Sequence, residues 1–155
     1  MTFHIAQLNI AEAKAPIDSE LMAPFVNELD RINALAESSP GFVWRLKEEN
    51  GNATSIQIFD DPNLILNMSI WETKESLFEY VYKSAHAGVM SRRREWFEPM
   101  KEAYHALWWI EAGKVPSLEE AKAKLEYLQK NGPTEHAFTF KKSFPVPTQL
   151  MQDIA

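Results

Sequence analysis

Hydrophobic and polar positions along this chain switch repeatedly between a two-residue alternation and a three- to four-residue step. Phe3 to Ile10 places Phe3 and Ile5 on one face and Ala6, Leu8 and Ile10 on the other, which reads as a strand. Ala15-Pro16 breaks it, and Asp18 is placed to cap a helix running to about Glu37. In that helix Leu21, Phe25, Leu29, Ile32 and Leu35/Ala36 mark one buried stripe, and Ser39-Pro40-Gly41 ends it. Phe42 to Leu46 reads as a strand, Glu49 to Asn52 as a turn, and Thr54 to Phe59 as a short returning strand. Leu64 to Trp71 is a strong strand with Leu64, Leu66, Met68 and Ile70 on one face and Ile65, Asn67, Ser69 and Trp71 on the other. Thr73 caps a helical region from Lys74 to about Met100, with a break expected near Ser84 to Gly88. Tyr104 to Ile110 is a strand with two dense apolar faces. Ser117-Leu-Glu-Glu120 is a capping box that opens a helix to about Lys130, and Ala137 to Phe140 is the last strand. These elements predict one domain over residues 1–144 and a C-terminal arm over 145–155.

The order β-α-β-(β)-β-α-β, followed by α-β, is that of a ferredoxin-like α+β sheet with a C-terminal extension. Helices would cover one sheet face. The strands are apolar on both faces, and no second set of helices is evident to cover the other. A second copy of the sheet could supply that cover, so a homodimer with sheets packed face to face is expected.

Composition narrows the possible functions. The 155 residues are 45% hydrophobic and 12% aromatic, with five tryptophans and nine phenylalanines, a globular composition. A net charge of −6 argues against general nucleic-acid binding, which requires a clustered basic face; Arg92-Arg93-Arg94 is the one dense basic cluster. The absence of cysteine excludes disulfides, thiolate metal sites and a cysteine nucleophile. No signal-peptide pattern and no apolar run of about 20 residues is found, so a cytoplasmic protein without a membrane span is expected.

The candidate chemistry lies between Tyr82 and Glu98. On a wheel assuming a continuous helix, Phe78, Val81, Ala85, Val89 and Trp96 form the core stripe. Tyr82, His86, Met90, Arg93 and Phe97 form the adjacent strip, with Arg94 further toward solvent. His86 would then open into an apolar cavity between helix and sheet, as a haem-iron ligand or as an acid or base near neutral pH. Arg93 or Arg94 would suit an anionic ligand group such as a carboxylate. The plain alternative is a hydrogen-bonded shoulder histidine beside a solvated basic face. Asn67, Ser69 and Trp71 could orient a ligand on the sheet, or bond only across strands. His4, His105 and His136 show no zinc-like spacing.

The motifs Asn67-Met-Ser-Ile-Trp71-Glu72, Tyr82 with Ser84-Ala-His86, Arg94-Glu-Trp96-Phe97 and Trp108-Trp109 through Gly113 to Pro116 carry a resemblance. Across nearly the whole chain they resemble an uncharacterised bacterial domain-of-unknown-function family of the dimeric α+β barrel superfamily. More distantly they are similar to spheroidene-monooxygenase-like and antibiotic-biosynthesis-monooxygenase-like proteins. The resemblance implies the fold and places His86 on a helix histidine of haem-associated members. The long carotenoid-oxygenase body is absent here, so no substrate carries over.

The expectation is therefore a monooxygenase-like oxidoreductase acting on, or binding, a hydrophobic small molecule. His86 would be the catalytic residue, and a metal ligand only if haem is bound; the cofactor is haem or otherwise none. Asn67, Trp71, Tyr82, Met90, Arg93, Arg94, Trp96 and Phe97 would form the ligand site. A non-catalytic haem or aromatic-ligand binding module and a purely structural dimer remain alternatives.

Overall fold

The computed structural model describes residues 2–47, 63–99 and 103–147. Nine elements follow in order: β1 (Phe3–Glu12), α1 (Ala23–Ser38), β2 (Phe42–Arg45), β3 (Leu64–Trp71), α2 (Lys74–Lys83), α3 (Ala85–Met90), α4 (Arg93–Trp96), β4 (His105–Glu111) and α5 (Leu118–Asn131). The strands form one antiparallel sheet in the order β2-β3-β1-β4, the ferredoxin-like arrangement. The returning strand expected at Thr54 to Phe59 and the arm from 148 onward lie outside the described residues.

Register assigns each strand residue to a face. Gln7 pairs with Ser69 and Leu107, and Asn9 with Asn67 and His105, so these residues share one face with Ile5 and Trp71. On that face Ile5, Trp71 and Leu107 pack against Leu77 and Val81 of α2, Ala36 of α1, and Phe138. The opposite face, with Ala6, Leu8, Met68, Ile70 and Trp108, packs against Ala121, Leu125 and Leu128 of α5. The expectation that no helix is available for this second face is corrected: α5 of the same chain covers it. Ser117 caps α5 by accepting from the Glu120 N–H, and the Gly132 N–H closes it on the Leu128 carbonyl.

Other expectations are also corrected. Helix α1 starts at Ala23, after Met22 and with Pro24 in its first turn, so Asp18 and Leu21 precede it and Leu21 is exposed. The region from Lys74 is three short helices, so a single continuous wheel does not apply. Its buried side is Leu77, Val81 and Trp96; Phe78 is 40% exposed, and the side chains of Ala85 and Val89 lie outside the described residues. The strand expected at Ala137 to Phe140 is reduced to bridges, with Phe138 and Leu107 exchanging backbone bonds of 2.8 and 2.9 Å.

Candidate functional site

The buried polar side chains among the described residues, Gln7 at 5% and Ser69 at 7% exposure, are cross-strand neighbours under the helices. Burying an amide and a hydroxyl is costly unless both are hydrogen-bonded. Here they are. The Gln7 amide nitrogen donates to Asn67 Oδ1 at 2.7 Å and to Ser69 Oγ at 2.8 Å, and Trp71 Nε1 donates to Ser69 Oγ at 2.9 Å. The Gln7 carbonyl oxygen faces His105 Nε2 at 3.0 Å. That oxygen can only accept, so Nε2 carries the His105 proton. A polar band therefore crosses three strands, from His105 through Gln7 to Asn67 and Ser69.

The roof is set by the break after α2. The Ser84 hydroxyl donates to the Tyr80 carbonyl, one of the carbonyls left free at the end of α2, and accepts from the His86 N–H at 3.1 Å. His86 Nδ1 lies 3.2 Å from the Val81 carbonyl. A carbonyl only accepts, so Nδ1 holds the proton and the neutral ring keeps its lone pair on Nε2. Tyr80 lies between Trp71 and His86, with ring centroids 5.0 and 4.8 Å away, and donates to the Ile32 carbonyl at 3.2 Å.

Burial pushes the His86 pKa below its ordinary 6.5, opposed in part by the bond to Val81. His105 falls to about 4, mainly through burial and further through the charges of His86 and Arg93. Burial raises the Tyr80 pKa, with Arg45 opposing. Both imidazoles are thus neutral at pH 7. Among the described residues three cations line the spaces between helices and sheet, Arg93 and Lys141 in one and Arg45 in its neighbour; the Arg93 guanidinium donates to the Tyr104 hydroxyl at 2.8 Å and lies 4.7 Å over the Tyr104 ring.

His86 and Asn9 together wall three adjoining cavities of 330, 170 and 110 Å³ between helices and sheet. The largest has Gln7, Asn67, Ser69 and His105 in its floor, and Tyr82, Met90 and Arg93 on its helical side. Phe140 and Tyr82 stand at its rim, 5.6 Å apart, with Tyr82 46% exposed.

The structure thus brings His86, Asn67, Met90, Arg93 and Tyr82 around one space. Phe97 separates the two smaller cavities and packs edge-on against Phe25 at 4.9 Å. Trp96 is buried with Ala13 and Met22 and reaches only the smallest cavity. Trp71 is fully buried behind the floor, bonded to Ser69 and stacked on Tyr80. Arg94 lies outside these cavities, with its carbonyl accepting from Lys14 Nζ. Gln7, Asn9, Tyr80 and His105 are site residues that sequence reasoning missed. Their signal was parity: Gln7 and Asn9 share the odd-numbered face of β1, as Asn67 and Ser69 share that of β3. Among the described residues no group of three or more His, Asp or Glu side chains could hold a metal ion. Nor is any described helix long and apolar enough to cross a membrane.

The profile of the family described as "Domain of unknown function (DUF3291)" matches residues 4–153. The chain belongs to this family. No curated protein sequence matches it. Among solved structures, this DUF3291 chain is similar to a conserved protein from Methanosarcina mazei, with a TM-score of 0.51 at 11% identity over 71% of this chain and 93% of that one. It is also similar to a protein of unknown function from Nitrosomonas europaea, with a TM-score of 0.47 at 15% identity over 75% and 97%. A third is SnoaB, a cofactor-independent oxygenase from Streptomyces nogalater, with a TM-score of 0.46 at 18% identity over 74% and 98%. The Methanosarcina likeness speaks to the fold alone.

Proposed function

We propose that this DUF3291 chain binds a hydrophobic, ring-bearing small molecule with an acidic hydroxyl or enol, and acts on it as a monooxygenase-like oxidoreductase with His86 as the base. One observation carries the reading. His86 is held neutral with its Nε2 lone pair free, in the wall of a cavity that also contains Arg93 and a hydrogen-bonding floor. Nε2 takes the proton, Arg93 pairs with the anionic oxygen that remains, and Asn67 and Asn9 orient the ring's polar groups. The electron-rich anion then reacts with dioxygen. A ring CH₂ becomes C=O, and the second oxygen atom leaves as water with the two hydrogens.

Haem fits this site poorly. Nε2 is a suitable iron ligand, but 330 Å³ is at the low end of the roughly 300–1,000 Å³ found for small-molecule pockets. The floor is also amide and hydroxyl, where a flat tetrapyrrole needs apolar contact.

Oxygen uptake with dithranol, an enolisable hydroxylated anthrone, tests the reading. Wild type is expected to consume oxygen and form the quinone, and His86→Ala to lose that activity by roughly 10²- to 10⁴-fold. Equal uptake by both proteins would refute the role of His86. Tight binding of naphthol without uptake of oxygen on any enolisable ring would favour a non-catalytic binding module. A Soret shift of hemin in wild type, lost in His86→Ala, would restore the haem reading. A homodimer is not required here, because α5 already covers the second sheet face; sedimentation velocity at micromolar concentration reads the assembly state.

A further inference from the structure

Arg93 has a second neighbourhood. On the side away from His86 it walls a groove of 560 Å³ with Lys14, Arg94, Phe97, Glu98 and Tyr104. Among the described residues three cations meet there against one lining carboxylate, in a chain that carries 22 acidic and 16 basic side chains. With acids in surplus, cations are ordinarily neutralised by their neighbours. The adjacent Arg92 is: it pairs with Glu95 at 2.8 Å. Among the described residues Lys14, Arg93 and Arg94 form no ion pair. Lys14 Nζ is spent on the Arg94 carbonyl, and Arg93 on the Tyr104 hydroxyl and ring. Phe97 and Tyr104 give the groove apolar walls beside the charges. Arg93 and Tyr104 also line the 330 Å³ cavity, so a single pair of side chains separates the two spaces.

We propose that this groove is an anion subsite, holding a carboxylate at the end of a short chain on the ligand whose ring enters the 330 Å³ cavity. The substrate class is then an aromatic acid with its acidic group set away from the reacting ring. Lys14 and Arg94 hold the carboxylate, and Arg93 stands between the two ends. The inference rests on the cavity reading above for the position of the ring, while the charge preference is the groove's own.

The test compares naphthylbutyrate with its uncharged primary amide, using naphthol alone to report on the inner cavity, all by titration calorimetry on the full chain at low salt. Wild type is expected to bind the acid roughly three- to ten-fold more tightly than the amide, a preference that shrinks as salt is raised. Arg94→Gln and Lys14→Gln, both at exposed positions, should each erase part of that preference and leave naphthol and amide binding unchanged. Equal binding of acid and amide by wild type overturns the subsite, as does a preference that survives both substitutions. Failure of naphthol to bind while the acid preference persists would remove the inner-cavity reading and keep the groove.

Discussion

Nδ1 of His86 lies 3.2 Å from the carbonyl of Val81, five residues earlier at the end of α2. This contact decides which nitrogen can work. For the proposed base role it also predicts a pH profile: such a base works only when neutral, and burial lowers the His86 pKa. Proton abstraction should therefore persist below pH 6.5 and fall only under more acid conditions. A rate–pH profile with its acid limb at or above 6.5 would contradict it.

His105 makes acid sensitivity a matter of stability as well. Its folded pKa of about 4 is below the unfolded 6.5, so the unfolded chain binds more protons between these values. Stability is complete above pH 6.5 and declines as pH falls toward 4, by up to about 3 kcal/mol from this group. His105→Gln keeps an N–H for the Gln7 oxygen and removes the titration. Its urea midpoint should change less between pH 7 and pH 5 than that of wild type.

Trp71 and Trp108 are equally buried but differently bonded. Trp71 donates to Ser69, whereas Trp108 Nε1 has no hydrogen-bond partner among the described residues. Trp71→Phe should therefore cost about 1–2 kcal/mol more than Trp108→Phe, since only the first removes a made hydrogen bond. Denaturant unfolding of the two variants side by side measures the difference; equal losses would count against the polar band.

Gly41 and Gly113 both have positive φ, at +83° and +92°. A Cβ on Gly41 would fall 2.5 Å from Cβ and Oγ of Ser76, while one on Gly113 meets nothing within 4 Å among the described residues. Gly41→Ala should cost about 2–4 kcal/mol and Gly113→Ala about 1 kcal/mol. Thermal melts of the two variants would show the gap.

The sheet was legible because β3 and β4 are apolar runs of strand length and their neighbours are marked by Thr73, Pro40-Gly41 and Ser117. The cover of the second face was not, since the pattern of α5 shows that it buries a stripe but not against which side. Within the site, the helical strip of His86, Met90 and Arg93 was visible as spacing. On the sheet Asn67 and Ser69 were visible too, but Gln7 and His105 were not, because those two meet only through strand pairing across 98 positions of sequence. The wheel also misplaced Phe78, since Ser84 divides the helix, and exposed Phe78 packs with Tyr82 at 4.7 Å and Phe140 at 5.5 Å instead.

Ser84 ends one helix and begins the next with a single hydroxyl, donating to Tyr80 and accepting from His86. The terminus of α2 and the aim of the imidazole are consequently inherited together. A substitution that lets α2 run straight through residue 84 would gain helical continuity and turn the histidine away from its cavity. An engineer stabilising this protein by repairing its most obvious flaw would be dismantling the wall of its largest helix–sheet cavity.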